Sequence, residues 1–257
     1  MIGRAVTTIG SLSGYEYAEN DEKMSYGKKY NLTGETHQEQ WNELRMIASL
    51  NDAIPRKKYV NALISFDKSQ NPEKLTNHQI KDMAETFAKE LGFYDNQWKF
   101  AVHTNTDELH IHFYANRIGF DAKNKVKANN IGKRSGQIVD AIAIKYGLKT
   151  SKEIGKERRK KALNELNSSI SESKTWEELK QKMQKKGYHF ILNKNIKGLN
   201  GARIVPIEYY KSNDQLSERE KTTQKGYKLS QLSRKLKIQD IANQLERNRK
   251  LMYSFKR

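Results

Sequence analysis

Between Trp98 and Ile118 hydrophobic and polar positions alternate with a period of two, in the stretch WKFAVHTNTDELHIHFYANRI. Over 109–117, Leu109, Ile111, Phe113 and Ala115 fall on one face of an extended chain, and His110, His112, Tyr114 and Asn116 on the other. Trp98, Phe100 and Val102 alternate likewise against Lys99, Ala101 and His103, with Asn105, Thr106 and Asp107 between the runs. This pattern predicts a β-hairpin with one core face and one face bearing histidines. Opposed residues of antiparallel strands point to the same side, so pairing His103 with His110 would gather all three imidazoles.

The remaining periodicities place further elements. Residues 1–9 alternate as a first strand, and the run Gly10-Ser11-Leu12-Ser13-Gly14 reads as a loop. Trp41, Leu44, Ile47 and Ala48 recur at helical spacing after Thr36, and Tyr59 to Phe66 is a rich strand. A helix over 75–91 starts at Thr76 or Asn77, buries Ile80, Met83, Ala84, Phe87 and Leu91, and stops at Gly92. After a polar connection over 119–127, a helix opens near Asn130 and runs to about Tyr146. Strand, helix and histidine hairpin follow the order of a split βαβ sheet, with the histidine strands central and antiparallel, helices on one face and the other face free.

Residues 149–161 form a basic run, and 151–174 reads as a basic helical connector. Beyond it, Thr175 caps a helix carrying Trp176, Leu179 and Met183, Gly187 stops it, and YHFILN and ARIVPIEYY form two strands. The expected organisation is a domain over 1–150, the connector, and a small helix-strand-strand appendage over 175–257 ending in a basic helix or tail. His189 stands alone on a strand and reads as structural.

Composition narrows the function. The 48 Lys and Arg against 30 Asp and Glu give a formal charge of +18, which implies a polyanionic partner. No apolar run approaches a membrane span and the N-terminal stretch lacks the apolar core of a signal peptide, so nucleic acid leads over a membrane surface. The chain has no cysteine, which excludes a disulfide framework and allows a cytoplasmic location.

Three neutral imidazoles from His103, His110 and His112 would hold a divalent cation and leave coordination positions open, as a catalytic site requires. Lys133 and Arg134, at the start of the helix after the hairpin, could hold a phosphate together with free backbone N–H groups.

The spacing H-x6-H-x-H followed by Asn116-Arg117, and above all HIHFYANRIGFD, resembles the histidine motif of the HUH relaxases. These are MobA-type nucleases that nick plasmid and conjugative-element DNA at an origin of transfer. The resemblance covers roughly residues 1–150, with weaker likeness over 175–240. It implies a two-layer α/β (α+β) nuclease fold in which the three histidines hold Mg²⁺ or Mn²⁺ on the scissile phosphate, although such ligands would also capture Zn²⁺ or Ni²⁺.

It further implies a tyrosine nucleophile near the amino terminus, for which Tyr17 fits the expected place and Tyr15 is second. The covalent product would be a 5′-phosphotyrosine. Of the nearby carboxylates Glu16, Glu19, Asp107 and Glu108, Asp107 is favoured as the acceptor of the tyrosine proton. Asn116, Arg117, Lys133, Arg134 and Ser65 are candidate DNA contacts. Implied partners are single-stranded and supercoiled DNA at the origin, relaxosome accessory proteins and a coupling protein. Replication initiators and transposases of the HUH kind place their tyrosine after the histidines, whereas here the best tyrosines precede them. A basic nucleic-acid-binding protein without catalysis is the rival from another class.

Overall fold

The structure is a computed structural model and describes residues 1–17, 24–53, 56–67, 70, 74–103, 109–196, 198–211, 216 and 224–254. The chain divides into two compact units, Met1–Ile154 and Gly155–Arg257.

In the first unit, β1 (Ile2–Thr8), β2 (Met24–Tyr30), β3 (Tyr59–Ser65), β4 (Trp98–His103) and β5 (His110–Asn116) form a five-stranded sheet ordered β1-β3-β5-β4-β2. Every pairing is antiparallel, and the histidine strand β5 is central. The helices are α1 (Leu12–Tyr17), α2 (His37–Ser49), α3 (Asn77–Leu91) and α4 (Ile131–Lys145).

Alternation along the strands decides which face each helix covers. Val60, Ala62, Ile64, Phe100, Val102, Ile111, Phe113 and Ala115 point to one side and merge with Ile80, Met83, Phe87, Val139 and Ile142 of α3 and α4 into the main core. The helix α3 starts at a capping box between Thr76 and Gln79 and ends at Gly92 with φ 98, as the sequence predicts. The helix α4 packs so tightly over β1 that a Cβ on Gly3 would lie 2.6 Å from the Ser135 carbonyl oxygen.

The opposite face is only half open, contrary to the expectation of helices on one side. Leu12 and Tyr15 of α1 and Trp41, Leu44 and Ala48 of α2 pack with Tyr59 and Tyr114 into a smaller core over the end of the sheet remote from the histidines. Tyr59 and Tyr114 are aromatic at positions the alternation leaves outward, and that is why this end needs a cover. At the histidine end Ile2 and Arg4 are exposed, and Leu63, Ser65, His110 and His112 are half-buried.

In the second unit, α5 (Ser151–Glu172, which begins in the first unit) contributes Ala162, Leu166 and Ile170 to a separate core. The basic stretch expected as a connector is therefore integral to the second unit from Gly155 onward. α6 (Trp176–Lys185), β6 (Tyr188–Asn195), β7 (Gly198–Pro206), β8 (Tyr227–Lys228), α7 (Leu229–Leu232) and α8 (Ile238–Ser254) complete it. The sheet order is β6-β7-β8, and α6 packs through Leu179 and Met183. Among the described residues no helix is long and apolar enough to cross a membrane.

Candidate nuclease centre

The hairpin register satisfies the parity requirement: His103 faces His110 across β4 and β5, with no bulge between these strands. Ring centroids lie 5.5 Å apart for His103 and His110, 4.6 Å for His103 and His112, and 4.9 Å for His110 and His112. One nitrogen from each imidazole lies within 4.8 Å of the other two. Donors about 2.1 Å from one ion can be no more than about 4.2 Å apart, so small side-chain rotations would suffice to bind a cation. Burial, and then the neighbouring His103 and His110, push the His112 imidazole down to about 4. It is therefore neutral near pH 7 and offers a lone pair. Imidazole donors suit Zn²⁺ and Ni²⁺, whereas Mg²⁺ or Mn²⁺ would fill its remaining positions with water and phosphate oxygens.

The two candidate tyrosines occupy opposite sides of α1. Two residues along a helix turn the side chain by about 200°, so if one is buried the other faces out. Tyr15 is fully buried and donates its hydroxyl hydrogen to Gln40 Oε1 at 2.5 Å. Its ring packs edge-on to Tyr114 at 5.3 Å, with Lys99 Nζ 3.4 Å from its centroid. It is a core residue that anchors α1, and no phosphate could reach its oxygen without displacing that helix. Tyr17 is 65% exposed, and its ring stands edge-on to His112 at 6.0 Å and 89°. The segment read as a loop is thus a short helix aiming one tyrosine inward and the other at the histidines.

Other candidates separate by burial. Asn116 is fully buried, its Nδ2 donating to the Leu44 carbonyl at 2.9 Å while its Oδ1 accepts from Ile118 N at 3.0 Å. Arg117, 4% exposed, donates through Nε and Nη2 to the Val126 carbonyl at 3.0 and 2.9 Å, and through Nη1 to the Lys57 carbonyl. Both hold the end of β5 to adjoining chain, so their place as DNA contacts is corrected to a structural one. The sequence shows the polarity of these side chains but not their burial.

Lys133 and Arg134 sit at the start of α4, where a Cβ on Gly132 would lie 3.5 Å from the Ala5 carbonyl oxygen, on the face away from the histidines. Arg134 Nη2 donates to the Lys127 carbonyl at 2.5 Å. The fold does not bring this pair to the centre. Ser65 does come there, paired with His110 across β3 and β5. Asp107, Glu19 and Glu108 lie outside the described residues.

Sequence reasoning passed over Arg4 and Leu63. The row Arg4, Leu63, His112 runs across β1, β3 and β5, placing exposed Arg4 about 10 Å from His112 on the same face. Alternation in β1 was the signal that could have found it.

Comparison with known proteins gives the family. The family described as "Relaxase: MobA/VirD2-like, nuclease domain" matches residues 17–148. The chain belongs to this relaxase family. A curated relative, Protein MobA of Acidithiobacillus ferrooxidans, is 31% identical over 86 residues, covering 33% of this chain and 20% of that protein. The match thus spans about a fifth of the length of that relative.

Among solved structures, a chain from "Molecular Basis of Vancomycin Resistance Transfer in Staphylococcus aureus" is similar over 58% of this chain and 96% of its own, at TM-score 0.38 and 13% identity. The metal-bound conjugative relaxase TrwC in complex with oriT DNA is similar over 97% of this chain and 98% of its own, at TM-score 0.38 and 12% identity.

Proposed function

We propose that this relaxase nicks one DNA strand at an origin of transfer through attack by Tyr17. The observation that carries the reading is the position of Tyr17, exposed on α1 and edge-on to His112, while its neighbour Tyr15 is locked in the core. The Tyr17 phenolate oxygen bonds to phosphorus, the bond from phosphorus to the 3′ oxygen breaks, and the 3′ oxygen takes up a proton. The 5′ end stays on the protein as a phosphotyrosine, which conserves the bond energy so that rejoining needs no ATP.

His103, His110 and His112 would hold a divalent cation, Mn²⁺ or Mg²⁺ in the working enzyme, and when bound it supplies charge withdrawal at the non-bridging oxygens of the scissile phosphate. Asp107, four residues after His103 and three before His110 in sequence, is our choice for the acceptor of the Tyr17 proton. Ser65 and Arg4 line the open half of the sheet, where a hydroxyl and a guanidinium suit a DNA backbone. A DNA-processing role at an origin places the work in the bacterial cytoplasm, with accessory and coupling proteins as partners.

The test uses supercoiled DNA carrying the element's own origin, incubated with Mn²⁺ or with EDTA and then denatured. Wild-type protein should relax the plasmid only with metal, and Tyr17→Phe should leave it supercoiled. Undiminished nicking by Tyr17→Phe would overturn the assignment.

A further inference from the structure

The positive charge of this chain is concentrated in one place. From Gly155 onward 26 Lys and Arg stand against 11 Asp and Glu, a formal +15, whereas Met1–Ile154 carries 22 against 19, or +3. The unit that bears the histidines is nearly neutral, so most of the long-range attraction for a polyanion comes from the unit beyond the family match.

That unit also has a built groove. β6 is the edge strand of its sheet, with α6 packed alongside, and the two line a cavity of about 790 Å³ whose walls include Trp176, Lys180, His189, Leu192, Lys194 and Tyr210. The half-exposed His189 ring lies flat on Tyr210, with centroids 3.6 Å apart and 14° between planes. Trp176 is half-exposed and stacks on buried Phe190 at 6.1 Å and 17°.

The lysines divide by role. Lys182 and Lys186 pair with Glu172 and Glu165 at 3.1 and 3.4 Å, but exposed Lys180 and Lys194 enter no ion pair among the described residues. Among the described residues that line the groove one is acidic, Glu177.

Flat rings beside unneutralised lysines are what a single strand needs, since bases stack on the rings and phosphates meet the ammonium groups. Duplex DNA keeps its base faces covered, and an acidic peptide would use the lysines but not the rings. We propose that the groove between α6 and β6 is a second single-stranded nucleic-acid site, in which Lys180 and Lys194 take phosphates and Trp176 and the His189–Tyr210 pair stack bases. His189 thereby gains a binding role in place of the structural one expected of it. The proposal does not rest on the nuclease reading, because it concerns binding without cleavage.

The experiment measures fluorescence anisotropy of a labelled oligothymidine lacking any origin sequence, with the full chain carrying Tyr17→Phe and with EDTA present. Against this background, Lys180→Glu with Lys194→Glu, and separately His189→Ala with Tyr210→Ala, should each weaken binding at least tenfold. The lysine pair should also flatten the dependence of log affinity on log salt by about 1.4, the loss of two single-strand phosphate contacts. Polyglutamate of equal charge should compete poorly with the oligonucleotide, and duplex DNA should compete no better. Affinity within twofold of the parent for the folded lysine variant would overturn the proposal, as would equal competition by polyglutamate. Wild-type nicking, assayed separately, reports on the nuclease reading alone.

Discussion

Replacing Arg117 by Met keeps the length of the side chain and removes every donor, which separates a structural arginine from a DNA contact. The buried Val126 carbonyl now accepts two N–H groups from Arg117, and the Lys57 carbonyl accepts a third. Leaving a buried acceptor unmet costs about 1–3 kcal/mol, and bonds from a charged donor contribute about 1.5–3 kcal/mol each. Against this, Met avoids the burial cost of the guanidinium, whose pKa is lowered by desolvation. The balance is a loss of about 2–4 kcal/mol, or roughly 5–15 °C in Tm for a unit of this size. Thermal unfolding followed by circular dichroism measures the loss. DNA binding at low temperature should keep the wild-type salt dependence. An unchanged Tm with a salt slope smaller by about 0.7 would make Arg117 a phosphate contact after all and refute the reasoning.

Other consequences follow from the same geometry. Tyr15→Phe loses one hydrogen bond to Gln40, so stability should fall by about 1 kcal/mol in a urea titration while origin nicking persists. Gly10→Ala puts a Cβ at φ +84 and 2.5 Å from the Tyr59 ring, costing about 2 kcal/mol or more and lowering the nicking rate by disturbing the start of α1. His112 has a folded pKa near 4, below the roughly 6.5 of an unfolded chain. Between these values the unfolded state binds the proton that the folded state refuses, so this contribution is full above about pH 6.5 and is lost as the pH falls towards 4. Metal-free protein should therefore show a urea midpoint that declines over this window, and His112→Gln should decline less.

The hairpin was legible in the sequence because strand parity is a strict constraint: a shift of one residue would separate His103 from His110 and His112, and β4 and β5 adopt a register that keeps all three on one face with Ile111 and Phe113 buried opposite. The helix α3 was legible through its own caps. The strand β2 was not, since MSYGKKY shows no clear alternation and its pairing with β4 carries a bulge between Met24 and Tyr26. The half cover of the histidine face also stayed hidden, because Gly10 to Gly14 reads locally as loop, and the cluster of Leu12, Tyr15, Trp41, Leu44, Tyr59 and Tyr114 that stabilises a helix there joins residues far apart in sequence. Asn116 and Arg117 carry polar atoms that satisfy backbone carbonyls in the interior, and nothing in a linear pattern separates such a residue from a surface ligand.

The central claim is that Tyr17 carries the DNA. The direct measurement is mass spectrometry of the protein after reaction with its origin DNA and Mn²⁺, followed by denaturation and digestion by nuclease and protease. A 5′-linked nucleotide on the peptide containing Tyr17, assigned to that residue by fragmentation and absent from Tyr17→Phe, is the predicted result. A nucleotide on any other tyrosine, or cleaved DNA with no protein attached, would contradict it.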